Sequence, residues 1–237
     1  MMAFHPDAPP MTSDTPLPPR PRLRAPKAAA IAGILFSVLL IVSSALILLA
    51  TPPTPLGTET GLLSQTPAVL LALNLVPFAG IAFLWFMGVV RDVLGEREDQ
   101  FFATVFLGSG LLFVAMLFVS SAVTGSLLLL TSRLSEGELL TVYDLGRLIA
   151  RETLSTYSIR MAGVFMISSC TLFLRTGVIP RWTAWLGFGF AAIMLLRIGY
   201  INSLGWVMLL FPLWVLLVSL HILTESYTHR SDNFSQG

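Results

Sequence analysis

The sequence lacks the charge that a water-soluble domain needs. Only 11% of its 237 residues are charged, whereas 55% belong to the hydrophobic class. A soluble domain carries roughly 25% charged residues, so most of this surface is not built to meet water. The composition therefore predicts an integral membrane protein. The net charge of +1 says nothing further, because the positions of Lys and Arg matter more than their sum.

The chain also lacks the residues and motifs of most enzymes. Cys170 is the single cysteine, which excludes an internal disulfide and a cysteine-cluster metal site. The three histidines are scattered, at positions 5, 221 and 229. There is no phosphate-binding loop, zinc-binding His-Glu-x-x-His or dinucleotide-binding pattern. We expect no cofactor, no metal, no nucleic-acid partner and no catalytic residue.

An intramembrane serine protease is the one enzyme class with a partial match. Ser109 lies between Gly108 and Gly110, and His221 lies in the last apolar run. The Gly-x-Ser-Gly arrangement is absent, however, because Leu107 and Gly108 precede the serine. An intramembrane enzyme is therefore a distant alternative.

Six apolar runs dominate the chain, and each is long enough to be a membrane-spanning helix. The first has 23 residues, or roughly 34 Å of helix against a hydrocarbon core of about 30 Å. The sequence therefore predicts an all-α membrane protein, a bundle of six transmembrane helices. Small residues should let these helices pack closely, among them Gly108, Gly110, Gly125, Gly163, Gly187 and Gly189. Gly177 and Pro180 predict a tight turn between two of them, and Pro77 and Pro212 predict kinks. The predicted spans are 28–50, 67–90, 101–130, 157–174, 182–200 and 204–223.

The segments outside these runs are polar. Residues 1–27 hold eight of the fifteen prolines and end in basic residues, which predicts a disordered tail, either a solvated leader or a proline-rich docking segment. Residues 225–237 form a second tail. Residues 135–152 predict one outer interfacial amphipathic helix, with a capping box at its start and Tyr143 and Leu148 spaced among Asp144 and Arg147. This helix either covers the end of the bundle or acts as a lid or docking element.

Basic residues predict the orientation of the chain. With six spans and the N-terminus inside, the cytoplasmic segments hold nine Lys and Arg residues and the outer segments hold three. Because basic residues are retained on the cytoplasmic side, this bias predicts that both termini are cytoplasmic. The expected location is a plasma membrane, with the chain crossing it several times.

Two segments carry a resemblance to a group of known proteins. They are Arg91-Asp-Val-Leu-Gly-Glu-Arg-Glu-Asp-Gln-Phe-Phe-Ala-Thr-Val-Phe-Leu-Gly-Ser-Gly110 and Gly177-Val-Ile-Pro-Arg-Trp-Thr-Ala-Trp-Leu-Gly187. With them, about residues 80 to 190 resemble uncharacterised bacterial multi-pass inner-membrane proteins. The resemblance implies a helical protein of the bacterial inner membrane and supplies no activity.

Polar side chains inside the spans are the candidate ligand-binding residues. Arg160 and Arg197 are the only charged residues within the predicted spans, and charge in hydrocarbon is costly unless it snorkels, pairs or meets water. Asn74, Ser120 and Thr124 fall at comparable depth in the outer part of the bundle. The two arginines either snorkel and pair structurally or share a pocket for an anionic group.

The charged turn between the second and third spans is a candidate docking site. It contains Arg91, Glu96, Arg97 and Asp99. One interpretation is a solvated cap on the hairpin, and the other is a cytoplasmic loop that docks a soluble partner.

These observations favour a non-enzymatic membrane protein that binds a partner protein or a lipid-like or anionic ligand. Its expected partners are the lipid bilayer and a membrane or cytoplasmic protein. The alternative is a small transporter or permease subunit that uses the outer arginines and the proline-containing helices. An aqueous path between the two faces would favour transport, whereas a closed bundle would favour binding.

Overall fold

The protein is helical throughout the part that the computed structural model describes. The described residues are 25–50, 67–94, 100–130, 136–177, 179–196 and 207–234. They contain no β-strand, which confirms the all-α prediction. The elements are α1 (Ala25–Ala50), α2 (Pro67–Leu94), α3 (Gln100–Leu130), α4 (Glu136–Glu152), a π-helical turn (Thr153–Ser158), α5 (Ile159–Thr176), α6 (Arg181–Leu195) and α7 (Val207–Phe234).

Five helical segments in the described part are long and apolar enough to cross a membrane. This is the pattern of a multi-pass membrane protein. The segments are Lys27–Ile47, Pro67–Arg91, Ala103–Leu130, Thr141–Thr176 and Val207–Thr224. The predictions for most of the N-terminal tail, the charged turn beyond Leu94 and the last three residues lie outside the described residues.

Helices α1 and α2, α3 and α4, and α5 and α6 pack as antiparallel pairs. The Ser43 hydroxyl of α1 donates to the Ala72 carbonyl of α2 at 2.8 Å, and the Ser120 hydroxyl of α3 donates to the Ala150 carbonyl of α4 at 2.9 Å. A Cβ on Gly163 of α5 would meet the last turn of α6. We call the end of the bundle at which α1 and α3 finish the outer end.

The first and last helices also run in opposite directions. Gly33 lies against Ser219, and the rings of Phe36 and Phe211 are 5.7 Å apart. Residue numbers therefore rise toward the outer end in α1 and fall toward the outer end in α7. The start of α1 and the end of α7 lie at the same end of the bundle, which we call the inner end.

Five phenylalanines, each from a different helix, fill the centre of the bundle. Phe83 of α2 is the hub, with ring centroids 4.7 Å from Phe36, 5.4 Å from Phe113, 5.1 Å from Phe165 and 5.5 Å from Phe211. All five side chains are buried. Aromatic rings at these separations attract each other through their edges and faces. This phenylalanine layer closes the middle of the bundle.

Helix-packing glycines were predicted correctly in part. A Cβ at Gly110 or Gly187 would collide with side chains of neighbouring helices, and a Cβ at Gly163 would be in tight contact with Leu195. Gly125 is looser, with the nearest atom, on Leu73, at 3.9 Å, and the prediction is wrong for Gly108 and Gly189, where a Cβ would enter open space. Gly177 ends α5 as predicted, with φ of 69° and its N–H bonded to the Phe173 carbonyl.

The predicted interfacial helix is not separate from the span that follows it. Helix α4 passes through the π-helical turn into α5 without interruption, giving one helix from Glu136 to Thr176, about 60 Å long at 1.5 Å per residue. A break between the interfacial helix and the fourth span was predicted at residues 153–156, because the two segments differ in hydrophobicity. A change in hydrophobicity along a helix does not require a break in its backbone.

The predicted fifth span, residues 182–200, is described only in part. Helix α6 covers Arg181–Leu195, about 22 Å, and residues 197–200 of the prediction lie outside the described residues.

Candidate functional site

The π-helical turn determines which way Arg160 faces. A π turn contains one more residue than an α-helical turn, and the Ile159 N–H accordingly bonds to the Leu154 carbonyl five residues earlier. Tyr143 and Ala150 form the buried face of α4, and uninterrupted α-helical spacing would bring Tyr157 onto that face next. The extra residue brings Ser158 there instead, so that Tyr157 is 59% exposed.

Beyond the turn, α5 packs on α3 through a regular set of buried residues. The Ser158 hydroxyl donates to the Phe113 carbonyl at 3.4 Å, and Ala162 and Phe165 continue the same face. Arg160 lies between these positions along the chain, and at helical spacing it falls on the opposite side of α5. Its side chain is exposed.

Three side chains, each four residues from the next, form a polar stripe on this exposed side. The Arg160 Nη1 donates to the Thr156 carbonyl at 3.3 Å. The Thr156 hydroxyl donates to the Glu152 Oε2 at 2.7 Å. The guanidinium and the carboxylate thus both reach Thr156, one from each side. Glu152 and Thr156 were not predicted as site residues. Their i, i+4, i+8 spacing with Arg160 would have indicated that the three side chains share one side of a helix.

Arg160 has unused hydrogen-bonding capacity. A guanidinium carries five N–H donors and no acceptor, and the structure gives Arg160 one protein acceptor, the Thr156 carbonyl. Within the described segments, no carboxylate forms an ion pair with it. Most of its donors are therefore available to a group from outside the chain.

The described part of helix α6 does not reach the surface beside Arg160. The last turn of α6 lies against Gly163, where a Cβ would come 3.0 Å from Leu195 and 3.4 Å from the Ala191 carbonyl. Gly163 is about one turn closer to the inner end than Arg160. Arg160 and the polar stripe therefore lie past the described end of α6, near the middle of the continuous helix.

The other predicted ligand residues do not gather around Arg160. Ser120 bonds to Ala150 on the side of α4 opposite the polar stripe, and the Thr124 hydroxyl donates to the Ser120 carbonyl of its own helix at 2.8 Å. Asn74 is exposed on α2, where its Nδ2 donates to the Leu70 carbonyl at 2.9 Å. Arg197 lies outside the described residues. The expected outer cluster is not formed by its described members.

Of the four predicted docking residues in the charged turn, the structure describes one. Arg91 is exposed in the last turn of α2, and Glu96, Arg97 and Asp99 lie outside the described residues. Docking of a soluble partner at this turn stays a prediction.

The protease interpretation gains no support from Ser109. Its hydroxyl is directed at its own helix, where it bonds to the Val105 carbonyl at 2.6 Å and the Phe106 carbonyl at 3.2 Å. Among the described residues there is no group of three or more His, Cys, Asp or Glu that could hold a metal ion. The polar stripe is thus the best-formed candidate site on the described surface.

Comparisons with known proteins add no further guide. No protein-family model matches the chain, and no curated protein or solved structure matches it either. The resemblance to bacterial inner-membrane proteins stays a prediction, and the functional argument depends on the geometry.

Proposed function

We propose that the chain crosses a bacterial inner membrane six times with both termini in the cytoplasm. Three features support this topology: the antiparallel order of the helices, the shared end of α1 and α7, and the basic residues at that end. Helix α6 would be the fifth crossing, completed by residues beyond Leu195. Helix α4 would form the outer part of the fourth crossing, since it continues into α5 without a break and packs along α3.

Reporter fusions test this topology. A green fluorescent protein fused after Gly237 should fluoresce, because it folds in the cytoplasm, and alkaline phosphatase at the same site should be inactive. Alkaline phosphatase inserted after Arg133, between α3 and α4, should be active because that turn is outside. Active phosphatase after Gly237 would contradict the six-span topology.

We further propose that the protein is a non-enzymatic membrane protein that binds a phospholipid headgroup at the polar stripe. The observation that supports this function is Arg160, an exposed charged side chain within the apolar segment Thr141–Thr176 with most of its N–H donors unused. A guanidinium in hydrocarbon is costly, and a phosphate is a preferred partner because two N–H groups can bond to two phosphate oxygens at once. The long side chain already extends outward, toward Thr156 and the outer leaflet.

Glu152 suggests which headgroup binds. Its carboxylate and the Arg160 guanidinium both reach Thr156 without pairing with each other. A zwitterionic headgroup with a phosphate and a primary ammonium complements this arrangement, with phosphate at Arg160 and ammonium at Glu152. The proposed ligand is therefore a phospholipid of the phosphoethanolamine type.

Native mass spectrometry of the protein purified in mild detergent tests the lipid site. Arg160→Gln should remove one retained phospholipid per protomer, whereas Arg151→Gln should retain it. Arg151 is the matched control because it is also an exposed arginine on the continuous helix. Glu152→Gln should keep a lipid but shift the retained species from zwitterionic to anionic headgroups. Equal phospholipid occupancy in wild type and Arg160→Gln would refute the site.

The transport alternative has some structural support of its own. Helices α2 and α7 contain Pro77 and Pro212, and proline-interrupted helices occur at transporter binding sites. The phenylalanine layer, however, occupies the middle of the bundle where a translocation path would run. This closed centre favours binding over transport.

A further inference from the structure

The exposed face of α2 contains a polar residue whose hydrogen-bonding groups the described part of the chain satisfies only in part. Asn74 lies about 10 Å inside the apolar segment that begins at Pro67. It is exposed, and so are its neighbours on that face, Leu71, Phe78 and Ile81. By contrast, the exposed face of α1 is aliphatic, with residues Ile31, Leu35, Val38 and Val42.

Asn74 has hydrogen-bonding capacity that lipid cannot satisfy. A carboxamide offers two N–H donors and an oxygen acceptor, and the structure uses one donor, to the Leu70 carbonyl. One N–H and the oxygen remain. Unlike Arg160, the short side chain cannot extend to the headgroups. Leaving these groups in hydrocarbon is unfavourable, so polar residues of this kind promote helix association in membranes.

Two further features of α2 favour a partner helix on this face. Gly88 lies on it two heptads after Asn74, and a Cβ there would meet nothing within 4 Å. The packing of the described helices therefore does not explain its lack of a side chain, which would allow a second helix to approach closely. Pro77, also exposed, has no N–H to give to the Leu73 carbonyl, which adds an acceptor near Asn74.

We propose that this α2 face, defined by Asn74, Ile81 and Gly88, is a dimerisation surface whose occupant is α2 of a second copy of this chain. The three residues are seven apart and so share one position of a helix–helix seam. In a two-fold dimer with its axis along the membrane normal, each of them meets its equivalent in the second copy. Two carboxamides are complementary to each other, because each can donate its remaining N–H to the other's oxygen. This self-complementarity favours a second copy over an unrelated membrane protein.

Disulfide crosslinking in native membranes tests the dimer. Ile81→Cys places a thiol near the proposed axis, and Val38→Cys is its control because the two positions have similar exposure, 49% and 47%. They also lie at similar depth, since Phe36 packs against Phe83. The native Cys170 is buried, so wild type gives the background. Mild oxidation should produce a species of about twice the 25.8 kDa monomer for Ile81→Cys, several-fold more than for Val38→Cys.

The role of Asn74 is tested in the same assay. Asn74→Leu combined with Ile81→Cys should weaken association about tenfold, the size expected for one interhelical polar contact in a membrane. Asn74→Gln should retain it, because the carboxamide is kept. An unchanged melting temperature of Asn74→Leu in detergent would confirm that the loss is not misfolding. Equal crosslinking of Ile81→Cys and Val38→Cys, crosslinks to a protein of another mass, or no effect of Asn74→Leu would overturn the proposal.

Discussion

Phe83→Ala should lower the free energy of unfolding by about 3–5 kcal/mol, the usual cost of removing a fully buried phenylalanine ring. Phe83 is 0% exposed and contacts the rings of five other phenylalanines, which are Phe36, Phe86, Phe113, Phe165 and Phe211. The substitution leaves a cavity at the point where most of the bundle meets. In a thermal unfolding experiment in detergent, the melting temperature should fall by roughly 10 °C.

Phe78→Ala is the matched control for this substitution. It removes the same ring from the same helix, but Phe78 is 62% exposed on the surface of the bundle. Little packing is lost there, so the melting temperature should change by no more than about 2 °C. Equal effects of the two substitutions would mean that the phenylalanine layer does not hold the helices together.

Gly33→Ala should destabilise the protein at a second point, where α1 crosses α2 and α7. The added Cβ would collide with the Ser219 hydroxyl and lie 2.9 Å from the Phe86 ring. The Ser219 hydroxyl can rotate about its Cα–Cβ bond, but the Phe86 ring is fully buried. The helices must therefore separate slightly, at a cost of about 1–3 kcal/mol. Urea or detergent titration of the folded state would measure this loss.

Two further variants separate the collision from a general effect of alanine. Gly108→Ala adds the same methyl group where nothing lies within 4 Å, and it should be neutral or slightly stabilising because alanine favours helix. Ser219→Ala removes a hydroxyl that has no hydrogen-bond partner in the structure, so this substitution alone should be nearly neutral. Combined with Gly33→Ala, it should restore part of the stability that Gly33→Ala removes. Additive effects of Gly33→Ala and Ser219→Ala would show that the two residues do not interact.

The sequence predicted the helices well because length and apolar content define them. Helix α2 begins at Pro67 and α3 ends at Leu130, as predicted, and both boundaries follow from a change in hydrophobicity. The turn at Gly177 was also predictable, since a left-handed residue at the end of a helix strongly favours glycine.

The direction of individual side chains could not be predicted in the same way. In a soluble helix the polar face marks the surface, but a spanning helix is apolar on all sides. Nothing in the pattern therefore distinguishes the exposed Phe78 from the buried Phe83. For the same reason, the expected cluster of Asn74, Ser120 and Arg160 was based on depth alone. Depth does not specify on which side of each helix a residue lies.

Because the π-helical turn contains an extra residue, α4 and α5 can each place their own buried residues against the same helix, α3. Deleting one residue between Thr153 and Ser158 would convert the turn to ordinary α-helix and rotate one half of the continuous helix by about 100° relative to the other. Arg160 would then point toward a different neighbour although its own codon was untouched. The orientation of Arg160 thus depends on the number of residues in the turn. A sequence alignment that places a one-residue gap there would match residues that lie on different sides of the helix.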